Sequence, residues 1–306
     1  MPIPAKTSFV QPQTQSQLLV DLKVVPLSPC IGAEIEGIDL CYPLTRDEQA
    51  TLDLLRQRYK VLFFRDQSLT VEQLIRFASQ FGELEQYVSD GLQAGRSVHQ
   101  DYPELVSFCY NTDYPGRENF WHYDIAPQGT PYAAAILRAV QVPELGGDTL
   151  FTDVGAAYRA LSQEMKQTLA GLVALNDYLP IRRIARAKGM SEATLACYDA
   201  IFPIVEAPLV QNHPVTGEPI LWVNSTFTIR IKDLPDAESR SLLNHLTEHY
   251  KLPEFQCRFR WTPNAIAFWD NWACQHYAIN DYYPQTRIME RLSLVSWSND
   301  NGCEYK

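Results

Sequence analysis

The chain has 306 residues, enough for one large domain or two small ones at about 150 residues per domain. Hydrophobic residues make up 46% and charged residues 20% of the sequence, a composition typical of a globular protein and not of a disordered chain. The 26 basic and 36 acidic residues give a formal net charge of −10. This excess of acid argues against a general nucleic-acid or anionic-membrane binder, because such proteins need a basic face.

The sequence also indicates where the protein works. No apolar run approaches the roughly 18 residues that span a bilayer, and the first residues lack the apolar core of a signal peptide. The seven cysteines are scattered and form no CxxC pair, so we expect neither a disulfide framework nor a thiolate zinc site. These features predict a cytoplasmic location.

Helix and strand signals alternate irregularly along the chain. Residues 1–20 are polar and predict a flexible arm, followed by a single domain over 21–300. Capping boxes at Thr45–Glu48 and Thr70–Gln73 each predict the start of a helix. Two more helices are predicted at 154–175 and 236–250. Strands are predicted within 24–40 and at 60–64, 105–110, 133–140, 149–151, 220–223, 264–269 and 287–297.

Many short strands without a βαβ rhythm predict a mostly β fold with flanking helices, built on a sandwich or jelly roll. The charged stretch 178–204 predicts an excursion from this core that could act as a lid or could be an ordinary surface loop.

The pair His122 and Asp124 suggests a metal site. Residues i and i+2 of a strand project to the same face, so an imidazole and a carboxylate would point at one place, as a facial metal site requires. Taken alone, the pair favours a structural hydrogen bond between the two side chains over a metal site.

The last predicted strand adds two arginines to this pattern. Its period of two places Arg287, Met289 and Arg291 on one face, and His276 precedes it in a polar stretch. A buried, unpaired guanidinium is costly, so these residues would need anions. A site that holds a divalent metal and a dicarboxylate would supply them, and an interior Glu or Asp beside one Arg is the alternative.

These residues carry a resemblance to a known family. The order is His122-x-Asp124, Thr149 27 residues after His122, a distant His276, and Arg287 and Arg291 at +11 and +15 from it. In this order, and in stretches such as Trp121–Asp124 and Trp269–Asn271, the chain resembles the taurine and 2,4-dichlorophenoxyacetate dioxygenase family of iron(II)- and 2-oxoglutarate-dependent enzymes. The resemblance covers roughly residues 22–297 and implies a double-stranded β-helix (jelly-roll) core.

The resemblance implies a role for each matching residue. His122, Asp124 and His276 would be the iron(II) ligands. Arg287 would bind the far carboxylate of the co-substrate 2-oxoglutarate, with a hydrogen bond from Thr149. Arg291 would meet an acidic group of the substrate or the inner end of 2-oxoglutarate, and further pocket residues are predicted at Tyr87, Asn111 and Phe227.

The implied reaction consumes O₂ and 2-oxoglutarate, releases succinate and CO₂, and oxidises a C–H bond of a small anionic organic substrate. Hydroxylation is the leading outcome, and desaturation or oxidative rearrangement stay open. The family further implies a homo-oligomer, a dimer or a tetramer. Two alternatives remain at this point: a zinc metallohydrolase using the same three ligands, and a non-catalytic jelly-roll binding protein.

Overall fold

The computed structural model describes residues 20–87, 95–125, 131–177, 191–192, 196 and 203–297. The expected N-terminal arm, apart from Val20, and most of the expected lid at 178–204 lie outside these residues. The strands are β1 (Lys23–Pro26), β2 (Ala33–Glu36), β3 (Val61–Phe64), β4 (Gly82–Leu84), β5 (Arg96–Val98), β6 (Val106–Tyr110), β7 (Ala134–Gln141), β8 (Thr149–Asp153), β9 (Val173–Asn176), β10 (Val205–Pro208), β11 (Val210–Asn212), β12 (Pro219–Leu221), β13 (Thr228–Ile231), β14 (Gln256–Phe259), β15 (Ile266–Asp270), β16 (Cys274–Ala278) and β17 (Arg287–Trp297). The helices are α1 (Arg46–Tyr59), α2 (Val71–Ser79), α3 (Val154–Ala160), α4 (Gln163–Leu169) and α5 (Asp236–Tyr250), with a 3₁₀ turn at Pro253–Phe255.

The first two helices begin where their capping boxes predict. The Thr45 hydroxyl accepts a hydrogen bond from the Glu48 N–H, and the Glu48 carboxylate accepts one from the Thr45 N–H at 2.7 Å. Thr70 and Gln73 repeat this exchange at the start of α2. Each box satisfies backbone N–H groups that a helix start would otherwise leave unpaired.

The prediction of a single helix over 154–175 is wrong. The chain instead forms α3, α4 and the strand β9 in this region. Ser162 has an extended backbone (φ −63°, ψ 159°) and caps α4 by accepting a hydrogen bond from the Met165 N–H at 3.1 Å. Gly171 (φ 80°) then turns the chain into β9, in a conformation that residues with a side chain rarely adopt. A local cap and a glycine therefore override the helical spacing of the apolar residues.

Two sheets face each other across the centre of the molecule. The larger has nine strands, in the order β1-β2-β3-β15-β7-β17-β6-β5, with β4 also paired to β17. The smaller has the order β14-β8-β16. Within the described residues every strand pairing is antiparallel except β2 with β3. Antiparallel pairing suits short loops between strands and agrees with the turn-rich sequence.

Buried side chains from both sheets interdigitate in one core. Phe63 on β3 stacks on Phe259 of β14, with ring centroids 4.0 Å apart. Phe151 on β8 packs edge-on against Phe63 and against Trp269 of β15. The opposite face of the large sheet packs on α1 and α2 through a second apolar cluster. The mostly β architecture with flanking helices is therefore confirmed, and among the described helices none has the length and apolar character needed to cross a bilayer.

Candidate active site

Two histidines from distant parts of the chain pair directly. His276 lies in the middle of β16, and His122 forms a single antiparallel β-bridge with it. The N–H of each residue donates to the carbonyl of the other, at 3.0 and 2.8 Å. Asp124 follows two residues after His122, and its Oδ1 atom lies 4.0 Å from the Nε2 atom of each imidazole. The potential ligand atoms of these three buried residues all lie within 4.8 Å of one another.

The environment keeps both imidazoles neutral. Burial lowers the pKa of His122, and burial together with the neighbouring His122 lowers the pKa of His276 to about 3. The Nδ1–H of His122 donates to the Phe120 carbonyl at 2.9 Å, which leaves the Nε2 lone pair directed toward Asp124. The His276 ring packs against Trp269, with ring centroids 5.0 Å apart. Neutral imidazoles with a free lone pair are the form that binds metal ions.

Asp124 is held as an anion. Burial alone would raise the pKa of its carboxyl group, but the neighbouring Arg291 guanidinium lowers it overall. The Nη1 of Arg291 donates to Asp124 Oδ1 at 2.9 Å, so the alternative that one arginine pairs with an interior acid holds for Arg291. The other oxygen, Oδ2, is buried without a hydrogen-bond partner among the described residues. This oxygen is available for a ligand.

Arg287 has a different environment on the same face of β17. It is 5% exposed, and its Nε and Nη2 atoms are buried without hydrogen-bond partners in the described part of the chain. Burial lowers the pKa of its guanidinium. Nearby, Trp261 donates its indole N–H to Thr149 Oγ1 at 3.0 Å, which leaves the Thr149 hydroxyl hydrogen free to donate elsewhere. A buried cation with open donors is the arrangement that favours binding of a carboxylate.

One cavity brings these groups together. It encloses about 530 Å³, including space open to solvent. Aromatic and aliphatic walls surround a small number of charged groups, as in many small-molecule sites. The residues that line it are Phe108, Tyr110, Glu118, His122, Asp124, Leu137, Thr149, Phe151, Trp269, His276, Ala278, Arg287, Met289 and Arg291.

Glu118 is a cavity residue that the sequence did not reveal. Its Oε1 forms an ion pair with Arg96 of β5 and accepts a hydrogen bond from the Tyr110 hydroxyl at 2.7 Å. Burial would raise the pKa of Glu118, but Arg96 lowers it overall, so the side chain is a paired anion. Only the pairing of β5 with β6 brings Arg96 to this place, and no local spacing predicts it.

The three other predicted pocket residues lie away from the cavity lining. The Tyr87 hydroxyl donates to Ser293 Oγ at 2.8 Å and interacts with Arg291, so Tyr87 supports the cavity from behind this arginine. Asn111 accepts hydrogen bonds from two backbone N–H groups of the turn that follows β6. Phe227 packs on Phe120 in a separate apolar cluster. Their role in substrate binding stays a prediction.

The donor set fits a divalent transition metal. Two imidazole nitrogens and one carboxylate are the ligands of the facial iron(II) sites in non-haem oxygenases. The Asp124 Oδ2 atom has no partner among the described residues, which leaves the cluster open to a ligand. The unpaired donors of Arg287 in the same cavity fit the carboxylate of a second ligand.

The fold and this cluster together have the form of a jelly-roll oxygenase, with donors that suit a facial metal site, and comparison with known proteins agrees. The chain belongs to the taurine catabolism dioxygenase TauD, TfdA family, whose sequence model matches residues 23–293. A crystal structure of a taurine dioxygenase from Burkholderia xenovorans has a TM-score of 0.74 and 34% identity, covering 92% of this chain and 93% of that one.

Two curated relatives are similar over most of their length. The alpha-ketoglutarate-dependent sulfate ester dioxygenase of Pseudomonas putida is 31% identical over 289 residues, 90% of each chain. The alpha-ketoglutarate-dependent 2,4-dichlorophenoxyacetate dioxygenase of Cupriavidus pinatubonensis is 32% identical over 262 residues, 82% of this chain and 90% of that one. The family resemblance and the jelly-roll core expected from the sequence are therefore confirmed.

Proposed function

We propose that the chain is an iron(II)- and 2-oxoglutarate-dependent dioxygenase that oxidises a C–H bond of a small anionic organic substrate and releases succinate and CO₂. Arg287 carries this proposal. It is a buried guanidinium with unused donors, and it lines the same cavity as the His–Asp–His cluster. The reaction of a zinc hydrolase would not require such a residue, whereas a dicarboxylate co-substrate supplies the anion that Arg287 lacks.

His122, Asp124 and His276 would hold the iron. Their side chains are buried and close together, with neutral imidazoles and an ionised carboxylate. Iron(II) and 2-oxoglutarate, when bound, would supply the O₂ chemistry that side chains lack. The contribution of the protein is to fix these ligands and to keep water from the reacting groups.

Arg287 and Thr149 would hold the remote carboxylate of 2-oxoglutarate. The guanidinium offers Nε and Nη2, and the Thr149 hydroxyl can donate because Trp261 already occupies one of its acceptor positions. A carboxylate taken out of water needs such charge-assisted hydrogen bonds to repay its lost hydration. The two residues would thereby orient the co-substrate before reaction.

The charges around the cavity favour an anionic substrate. Among the described residues, five charged side chains either line the cavity or pair with a residue that does. They are three guanidinium groups (Arg96, Arg287 and Arg291) and two carboxylates (Asp124 and Glu118), so this set has one positive charge left over. A divalent metal and the doubly charged co-substrate cancel each other. The remaining charge would therefore attract one acidic group of the substrate.

Relatives described as acting on sulfate esters and on an aryloxyacetate support the same substrate class. Which acid this chain oxidises, and whether the product is hydroxylated, desaturated or rearranged, calls for a substrate screen. The expected cytoplasmic location and homo-oligomeric assembly stay predictions, which cell fractionation and light scattering would check.

The decisive test is substrate-stimulated turnover. The purified protein is supplied with iron(II), 2-oxoglutarate, O₂ and a panel of sulfonates, sulfate esters, aryloxyacids and amino acids, and succinate formation and O₂ uptake are measured together. We expect iron-dependent succinate formation that at least one anionic compound stimulates.

The His122→Ala and Asp124→Ala variants should lose this activity. His245→Ala is the matched control, because His245 is exposed on α5 and should leave the activity unchanged. Full turnover in either ligand variant, or substrate consumption without O₂ uptake, would contradict the proposal.

A further inference from the structure

Asn271 bonds the backbone of Asp124 on both sides. It is 0% exposed and follows directly after β15. Its Oδ1 accepts a hydrogen bond from the Asp124 N–H at 2.8 Å, and its Nδ2 donates to the Asp124 carbonyl at 2.7 Å. The same Nδ2 donates to the Tyr132 carbonyl at 3.0 Å. One side chain therefore satisfies both polar backbone groups of the only carboxylate in the His–Asp–His cluster.

Asp124 needs such support because it lies between two isolated β-bridges, of His122 with His276 and of Ile125 with Pro131, and not within a strand. His122 is fixed by its bridge to His276, but that bridge is a single residue pair. In the described part of the chain, the other hydrogen bond to the Asp124 backbone comes from the N–H of Tyr132, 3.3 Å from the Asp124 carbonyl. Asn271 thus supplies the hydrogen bonds that a neighbouring strand would otherwise provide.

Asn271 is itself firmly held. Its N–H donates to the Ala133 carbonyl at 3.1 Å. The preceding Asp270 is bound by Arg56 on one carboxylate oxygen and by His213 Nε2 on the other, at 3.0 Å. Both partners are buried, so the end of β15 is a fixed point from which the amide can reach Asp124.

We propose that Asn271 is a positioning residue. It holds the Asp124 backbone in place and thereby fixes the position of the Asp124 carboxylate relative to the two imidazoles. Its amide bonds the backbone of Asp124 and Tyr132, and it acts on the cluster through the Asp124 backbone. The proposal rests on the proposed function, since it assumes that His122, Asp124 and His276 hold the metal. Loss of a residue that orients a metal ligand weakens metal binding by about 10- to 100-fold.

The test measures Mn²⁺ binding to the metal-free protein, with free Mn²⁺ quantified by electron paramagnetic resonance. We expect Asn271→Ala to raise the Kd for Mn²⁺ by about 10- to 100-fold. Asn176→Ala is the matched control, because Asn176 is also 0% exposed and accepts a hydrogen bond from the Thr228 hydroxyl at 2.8 Å, outside the cluster. It should lower the Tm but leave the Mn²⁺ affinity as in the wild type.

Other results would overturn either the positioning role of Asn271 or the assignment of the metal ligands. A folded Asn271→Ala variant with wild-type Mn²⁺ affinity overturns the positioning role. If that variant is unfolded, Asn271→Ser takes its place, and if this also fails to fold while Asn176→Ala folds, the role is structural and the proposal is wrong. Unchanged Mn²⁺ affinity in Asp124→Ala would instead refute the metal ligands, and with them the proposed function.

Discussion

Two arginines four residues apart on one strand face have opposite environments. Arg291 already has an anion, since it donates to Asp124 at 2.9 Å. Arg287 lies on the same face and is buried, with two of its nitrogens unpaired in the described part of the chain. A desolvated charge without a partner is costly, so proteins keep one where a ligand will pair with it. The difference between the two residues locates the co-substrate end of the cavity.

Replacing Arg287 should weaken 2-oxoglutarate binding selectively. Removing one partner of a buried charge pair costs about 2–5 kcal/mol. We therefore expect Arg287→Gln to raise the Kd for 2-oxoglutarate by roughly 30-fold or more while the Mn²⁺ affinity stays unchanged. Isothermal titration calorimetry of the Mn²⁺-loaded protein measures the Kd for 2-oxoglutarate. Arg258→Gln is the control, because the Arg258 side chain is 56% exposed and pairs with Asp148 outside the cavity lining. An unaltered Kd for Arg287→Gln would remove this residue from the co-substrate site.

At the scale of whole elements, the end of β15 joins the core to the candidate site. Asp270 there binds Arg56 of α1 and His213, which lies in the turn between β11 and β12. Two backbone N–H groups, of Trp272 and Ala273, also donate to its Oδ1. This carboxylate thus ties a helix and a hairpin to the strand that leads into Asn271.

Asp270 should make the protein sensitive to acid. Burial alone would raise the pKa of this carboxyl group, but Arg56 and His213 lower it from 3.8 to about 2. A lowered pKa stabilises the folded state above the unfolded-state pKa, and the stabilisation is lost as the pH falls toward 2. The corresponding free energy is about 2 kcal/mol.

Urea unfolding at a series of pH values checks this expectation. The wild type should lose free energy of unfolding between about pH 4 and pH 2, and Asp270→Asn should lack that part of the slope. Asp236→Asn is the control, since Asp236 is exposed and its ion pair with Arg230 contributes little. If the free energy of unfolding fell equally with pH in the wild type and in Asp270→Asn, Asp270 would not control acid stability.

The sequence predicted elements whose signals are local. The capping boxes of α1 and α2, the full length of α5 and the full length of β17 agree with their predicted positions. It predicted Thr149, Arg287 and Arg291 through the family spacing, and the structure places all three in one cavity. The burial of His213 against Asp270 was not predicted, because its turn signal says nothing of a partner 57 residues away. The roles of Asn271 and Glu118 in the site were not predicted for the same reason, because their partners come together only when strands pair.

At the scale of the whole molecule, the overall charge opposes the local one. The chain has a formal net charge of −10, whereas the described residues of the cavity and its ion pairs carry one excess positive charge. An approaching anion therefore experiences repulsion at long range and attraction at short range. Which field dominates depends on the ionic strength, because the Debye length falls from about 30 Å at 0.01 M salt to about 8 Å at 0.15 M.

We expect 2-oxoglutarate to associate faster as salt is added over this range. Screening removes the repulsion from distant acidic residues before it weakens contacts inside the cavity. Stopped-flow fluorescence of the Mn²⁺-loaded protein gives the association rate constant at each salt concentration. The dissociation rate constant, which reflects the buried contacts, is the internal control and should change little. A rate of association that falls with salt would mean that the cavity arginines control the approach.

The contact between Trp269 and His276 has a practical consequence. This indole is buried and its ring lies 5.0 Å from the imidazole of His276. A paramagnetic ion bound by that imidazole would quench the fluorescence of so close an indole. Among the six tryptophans of the chain, Trp269 is therefore a natural optical reporter of metal loading, readable without substrate, oxygen or an added dye.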